Sequence, residues 1–157
     1  MSRLSYQKKA ERWDVWEVSC HGPEEGNPFA DHCMKGSFSC DKETVDADGF
    51  YDGDGIYKVR FMPSYEGEYT FKVTADFLEE EEGGSFSSLP AGTGNHGPVR
   101  VADTYHFAYE DGTPYYSIGT TCYVWDLQSD ERIAQTLETL RTVSYTHLRA
   151  HETLRHL

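Results

Sequence analysis

The sequence is poor in positive charge and contains no long apolar run. Its 157 residues include 14 Lys and Arg against 27 Asp and Glu, which gives a formal net charge of −13. Binding to a phosphate backbone needs clustered cations, so this balance predicts that nucleic acid is not a partner. No segment approaches the roughly 20 apolar residues that cross a bilayer, so no membrane partner is expected either.

The N-terminus lacks the apolar stretch of a signal peptide, although it carries several cations within its first twelve residues. We therefore expect a cytoplasmic protein, a location in which thiols stay reduced. The cysteines follow no Cys-x-x-Cys spacing, which predicts free thiols rather than a disulfide framework. These cysteines are Cys20, Cys33, Cys40 and Cys122.

Potential metal ligands stand at irregular spacings. Cys20 precedes His21 and His32 precedes Cys33, but these pairs do not have the spacing of a zinc site. Residues 52–55 read Asp-Gly-Asp-Gly, yet the positions that follow lack the oxygen ligands of a calcium loop, so a tight turn is the better interpretation. The sequence predicts no metal and no cofactor.

Aromatic residues make up 14% of the chain, and with 14 glycines they favour a β-rich globular protein. Apolar and polar residues alternate over 57–61 and again over 69–73, which predicts two half-buried strands. Residues 63–67 contain Pro and Gly and read as a short connection. Gly67 and Tyr69 have the spacing of a tyrosine corner, in which the Tyr hydroxyl bonds to upstream backbone.

The remaining strand signals are weaker, apart from one run near residue 118 that is dense enough to predict a more buried strand. The glutamates of 79–82 with Gly83 and Gly84 predict a solvated loop. Trp13 and Trp16 are expected to be core residues rather than a carbohydrate platform. The predicted strands cover 12–19, 31–38, 43–47, 84–89, 99–101, 105–109 and 114–121.

A helix is predicted after Ser129, which can serve as its N-cap. Ile133, Leu137 and Leu140 then lie on one face at helical spacing. The chain therefore runs from strand through loop to helix at this end, which is how a (β/α) unit begins.

Residues 143–157 resemble a translated sequencing adapter. Residues 143–153 read Val-Ser-Tyr-Thr-His-Leu-Arg-Ala-His-Glu-Thr, which back-translates to one frame of a transposase-type adapter. His147 and His151 stand four residues apart there, but Glu152 does not follow the first His as it does in helical zinc peptidases. We expect a processing scar that holds no metal and does not pack, with the natural protein cut off near Thr142.

Four phrases in order carry a resemblance to a known arrangement. They are GFYDGDG (49–55), VRFMP (59–63), GNHGPVRV (94–101) and IGTTCYVW (118–125). With these phrases the chain resembles the domain of unknown function 5060, an immunoglobulin-like sandwich that precedes an apiosidase-like (β/α)₈ barrel in bacterial glycoside hydrolases. The likeness covers about residues 11–141, with the barrel represented by its first strand and helix.

The resemblance implies a mainly β protein, an immunoglobulin-like antiparallel β-sandwich followed by the truncated first β/α unit of a (β/α)₈ barrel. The expected domains are an N-terminal extension (1–10), the sandwich accessory domain (11–101), the start of the barrel (102–142) and the adapter-like tail (143–157).

The same resemblance implies a fragment of an enzyme that acts on polysaccharide or oligosaccharide. Its catalytic carboxylates would lie on later barrel strands, so no catalytic residue is named and the fragment is expected to be inactive. The end of the first barrel strand would supply a sugar subsite, because active sites of this fold lie at that end. The candidate substrate-binding residues are Thr120, Thr121, Tyr123 and Trp125.

Two alternatives stay open at this point. Tyr123 and Trp125 could equally be packing residues, because aromatics dominate ordinary cores as well. The chain could also be a free-standing carbohydrate-binding or protein-interaction module, and its oligomeric state is not predicted.

Overall fold

The computed structural model describes residues 3–122, 125, 127–143, 145 and 147–149, and it is mainly β. The chain forms two compact units, a first unit of residues 1–98 and a second unit of residues 99–157. The first unit contains β1 (Ser5–Tyr6), β2 (Lys9–Glu11), β3 (Trp16–His21), α1 (Pro28–Asp31), β4 (Met34–Ser39), β5 (Thr44–Asp48), β6 (Phe50–Tyr51), β7 (Ile56–Phe61), β8 (Gly67–Ala75) and β9 (Glu82–Leu89). The second unit contains β10 (Val99–Ala102), β11 (His106–Tyr109), β12 (Pro114–Tyr115), β13 (Gly119–Thr121), α2 (Asp130–Thr142) and β14 (His147–Arg149).

The first unit is a β-sandwich. One sheet has the strand order β1-β3-β7-β6 and the other has the order β2-β9-β8-β4-β5. The pairs are antiparallel except for β2 with β9, which is parallel. The period-two pattern of β7 and β8 turns every second side chain inward, as the sequence predicted.

Aromatic rings from the two sheets form the core of the sandwich. Trp16 on β3 stacks on Phe86 of the opposite sheet with a centroid distance of 4.3 Å, and Phe61 on β7 stacks on Phe38 at 4.4 Å. The Trp16 indole N–H is satisfied because it donates to the Gln7 carbonyl at 2.8 Å. The buried set is Trp16, Val18, Cys20, Met34, Phe38, Tyr57, Val59, Phe61, Tyr69, Phe71, Val73 and Phe86. The prediction of a core residue is therefore confirmed for Trp16 and wrong for Trp13, which is half-buried and outside this set.

The predicted tyrosine corner is confirmed. The buried Tyr69 hydroxyl accepts a hydrogen bond from the Tyr65 backbone N–H at 3.2 Å and donates to Oε1 of Glu43 at 2.6 Å. The same carboxylate oxygen accepts the Ser64 N–H at 3.1 Å. One buried hydroxyl and one carboxylate therefore fix the turn before β8.

Two strand boundaries differ from the sequence prediction for local reasons. Trp13 has a φ of 68°, in the left-handed region, and its N–H donates to the Pro63 carbonyl at 2.9 Å, so β3 begins only at Trp16. The turn of helix α1 occupies Pro28–Asp31 and delays β4 to Met34.

The loop predicted at 79–84 is wrong at its end, because Glu82 and Gly83 belong to β9 and pair with β8. A Cβ at Gly83 would collide with the Phe71 carbonyl oxygen. Glycine at this position therefore allows β9 to lie close to β8. The residues expected as an N-terminal extension supply β1, which pairs with β3, and most of β2, which pairs with β9.

In the second unit, β10, β11 and β12 form an antiparallel sheet, and β13 pairs in parallel with β14. The expectation that the adapter-like tail does not pack is therefore wrong for residues 147–149, because they form β14. The single buried strand predicted over 114–121 is wrong, because the segment splits into β12 and β13, which join different sheets. Tyr116 between them is 73% exposed.

Helix α2 is present where the sequence placed it, from Asp130 to Thr142. Ser129 stands at its N-cap in extended conformation but makes no side-chain capping bond. None of its described residues is buried: on the predicted face, Ile133 and Leu140 are half-buried and Leu137 is exposed. Neither described helix is long and apolar enough to span a bilayer.

We expect Phe71→Ala to lower the free energy of unfolding of the first unit by about 3–5 kcal/mol, the usual cost of emptying a buried aromatic site. Phe71 is 2% exposed, and its ring centroid lies 4.9 Å from that of Trp16. Phe29→Ala is the matched control, because that ring is 76% exposed. Urea denaturation measures both, and a loss at position 71 below about 0.5 kcal/mol, the level of surface changes, would contradict this packing.

Tyr69→Phe should cost about 1–3 kcal/mol, because it leaves the Tyr65 N–H and the Glu43 carboxylate without their shared partner. Tyr65→Phe, which changes a ring that is 37% exposed, is the control.

The Tyr69 hydroxyl also predicts a pH dependence. Burial, and then the hydrogen bond to Glu43, raise the pKa of Tyr69 above its usual range. The unfolded chain therefore releases this proton first, so stability is retained below about pH 10 and falls above it. Urea titrations across this range should show a smaller alkaline loss for Tyr69→Phe than for the wild type; equal losses would contradict the assignment.

Candidate functional site

The segment that follows β13 is the place where the sequence located a ligand site. Strand β13, helix α2 and strand β14 form a β-α-β unit, with Gly119 opposite His147 and Thr121 opposite Arg149. In such units, ligands bind beyond the carboxyl end of the strand.

A groove lies at this end of β13, between the segment after the strand and one face of α2. We call it the α2 groove, and its volume is about 490 Å³. Its helical members recur every three or four residues, so they share one face of the helix. The lining residues are Cys122, Trp125, Gln128, Arg132, Gln135, Thr136, Thr139 and Leu140.

The α2 groove combines one aromatic wall with polar groups. Trp125 is half-buried. The Thr136 and Thr139 hydroxyls donate to carbonyls one turn earlier, both at 2.8 Å, and keep their oxygen lone pairs as acceptors. Arg132 makes no ion pair within the described part of the chain, so its guanidinium N–H groups remain available as donors.

This lining suits binding rather than acid–base chemistry. An indole face can cover the apolar C–H face of a sugar, while amides, hydroxyls and a guanidinium bond its hydroxyl groups. None of the described lining residues is Asp or Glu. Glycoside hydrolysis needs two carboxyl groups, so the described groove lacks this machinery.

The structure brings one of the four predicted site residues into the groove. Trp125 lines it, whereas Thr120 is half-buried and Thr121 exposed on β13, outside the lining. Tyr123 lies outside the described residues. The polar helix face was missed, although the spacing of Gln128, Arg132 and Thr136 could have indicated it.

Two of the side chains considered as metal ligands, His32 and Cys20, have other contacts. The Nδ1 atom of His32 lies 3.2 Å from an Asp76 carboxylate oxygen, and the buried Cys20 thiol contacts the Met34 sulfur at 3.9 Å. All four cysteines are free thiols. Within the described ranges, no three His, Cys, Asp or Glu side chains are grouped as a metal site.

Most of the chain is similar to known proteins. Residues 9–76 match the family described as domain of unknown function DUF5060, a match that runs from the start of β2 to just beyond β8. No curated protein matches the chain.

Among solved structures, a "putative glycoside hydrolase" from Bacteroides vulgatus ATCC 8482 is 36% identical, with a TM-score of 0.84. The likeness covers 92% of this chain and 28% of that protein, so the chain spans under a third of its relative's length. A Lin-41 filamin domain is only 18% identical over 57% of this chain and 94% of its own, with a TM-score of 0.42. The chain thus carries a DUF5060 match in its sandwich and is similar over most of its length to the Bacteroides protein.

Proposed function

We propose that this chain is the N-terminal part of a bacterial glycoside hydrolase that acts on polysaccharide or oligosaccharide. The first unit is its immunoglobulin-like accessory sandwich, and the second unit begins an apiosidase-like (β/α)₈ catalytic barrel. Residues 143–157 are adapter-derived in this proposal and replace the natural continuation.

One observation carries the proposal. The likeness to the Bacteroides protein extends over 92% of this chain, through both units, but leaves 72% of that protein unmatched (100 − 28). Strand β13 followed by helix α2 is also the order in which a (β/α) series begins. The unmatched length is ample for a barrel, which needs about 250 residues.

In the parent enzyme, the α2 groove would form part of the sugar site, with Trp125 as its aromatic wall. Thr120, Thr121 and Tyr123 stay candidates for the same subsite, because later barrel strands would add to the edge where β13 ends. The catalytic carboxylates would come from those strands.

The 157-residue chain should hydrolyse no glycoside, whereas the parent protein with its barrel completed should. Hydrolysis needs two carboxyl groups about 5–5.5 Å or 6.5–9.5 Å apart at the mouth of a closed barrel. Release of reducing sugar from a panel of polysaccharides measures both proteins. Activity of the purified 157-residue chain would contradict the proposal, as would a natural reading frame that stops near Thr142.

Trp125→Ala in the parent enzyme should lower kcat/KM by about 2- to 10-fold, because an aromatic contact contributes about 0.5–1.5 kcal/mol. Trp13→Ala is a matched control, since Trp13 lies in the first unit. There the Arg12 guanidinium carbon lies over the Trp13 ring, 3.9 Å from the ring centroid. Hydrolysis kinetics measure both, and thermal melting of the first unit should be unchanged by the first substitution. Unaltered kinetics would remove Trp125 from the sugar site.

A free-standing carbohydrate-binding or protein-interaction module is the second candidate. It is favoured by the aromatic core of the first unit, whose described members all lie within residues 1–98. A natural stop codon near residue 142, together with binding of the first unit to insoluble polysaccharide, would select this alternative.

A further inference from the structure

The sheet of β10, β11 and β12 has two chemically different faces. Antiparallel partners point to the same face, and the register pairs Val101 with Phe107 and Phe107 with Tyr115. One face, which we call the apolar face, therefore consists of Val99, Val101, Phe107, Tyr109 and Tyr115. The opposite face carries Arg100, Ala102, His106, Ala108 and Glu110. There Nε of Arg100 forms a salt bridge with Oε2 of Glu110 at 2.8 Å.

Most of the apolar face is exposed in the part of the chain that the structure describes. Val101 is 68% exposed, Phe107 51% and Val99 38%. Among the described residues, the far end of this face is partly covered. There the Tyr109 and Tyr115 rings meet edge-to-face with centroids 5.2 Å apart, and the Tyr115 ring meets His147 at 5.7 Å. A sheet face of this composition is normally buried against a second layer, because each exposed apolar side chain forgoes its burial free energy.

We propose that the apolar face is the docking surface for the polypeptide that follows residue 142 in the parent protein. This inference rests on the proposed function, since it needs a longer parent. The likeness to the Bacteroides protein is consistent with such a length, because 72% of that protein lies outside the part that this chain matches (100 − 28).

Two other occupants fit the face less well. A stable dimer interface takes about 20–30 residues from each partner, whereas this face offers five. A sugar needs hydrogen-bonding partners, and the three most exposed members, Val99, Val101 and Phe107, provide none. A covalently attached segment needs neither a large area nor polar contacts, because tethering gives it a high effective concentration.

Hydroxyl-radical footprinting of the wild-type 157-residue chain and of the full-length parent tests the docking. Phe29, 76% exposed on the first unit, serves as the internal reference for Phe107. We expect the ratio of Phe107 to Phe29 oxidation to fall several-fold in the parent. An equal ratio in the two proteins would overturn the inference.

Two neighbouring substitutions on β11 supply a second measurement. Phe107→Ser should lower the Tm of the parent by several degrees and leave the 157-residue chain almost unchanged, whereas His106→Ser, on the opposite face, should have little effect in either protein. No Tm difference between the two variants of the parent would count against docking.

The remaining outcomes point to other occupants and would also overturn the inference. Protection of Phe107 in the 157-residue chain that grows with protein concentration would indicate a second copy, and protection by added oligosaccharide would indicate a sugar site. The result is separable from the proposed function. Protection in a parent that hydrolyses no glycoside would sustain the docking and refute the activity, while an active parent with unprotected Phe107 would do the reverse.

Discussion

The burial of one aromatic layer between two sheets is the interaction on which the rest of the first unit depends. Trp16 lies at its centre, because its indole contacts Phe38, Phe71 and Phe86 from the opposite sheet. A buried aromatic side chain removes about 150–250 Å² from water, or roughly 4–6 kcal/mol as an upper estimate. This term explains how a sandwich without disulfides offsets the entropy of ordering its strands.

Polar contacts then fix the geometry that the apolar layer leaves undetermined. Tyr69 and Glu43 set the turn into β8 from inside the protein. On the outer face, Lys58 bridges Glu17 at 3.1 Å and Asp52 at 2.6 Å. Burial raises the pKa of Glu17, but hydrogen bonds from Arg60 and Lys58 outweigh it and hold that pKa below its usual value. Such exposed pairs contribute little free energy, so they specify register more than stability.

The sequence predicted the parts of the fold that local pattern determines. The alternation in β7 and β8 and the spacing of Tyr69 sufficed, because each reports which side of a strand faces the core. The short strands β1 and β2 were missed, since their pairing with β3 and β9 is long-range and two or three residues carry no periodicity. Within the candidate site, Trp125 was predicted because an aromatic ring is a common sugar contact. The polar face of α2 was missed because the sequence pattern was used only to identify the apolar face of the helix.

The two units differ in how completely they bury their apolar groups. This difference should give them different free energies of local opening. Every buried hydrophobic residue that the structure describes belongs to the first unit. The described part of the second unit has an amphipathic sheet and an amphipathic helix without a common core. Regions with few buried contacts open at low free energy, so the second unit should exchange its amide protons far faster than β7 and β8 do. A layer added by further chain would raise that free energy, because it would bury the faces that are now exposed.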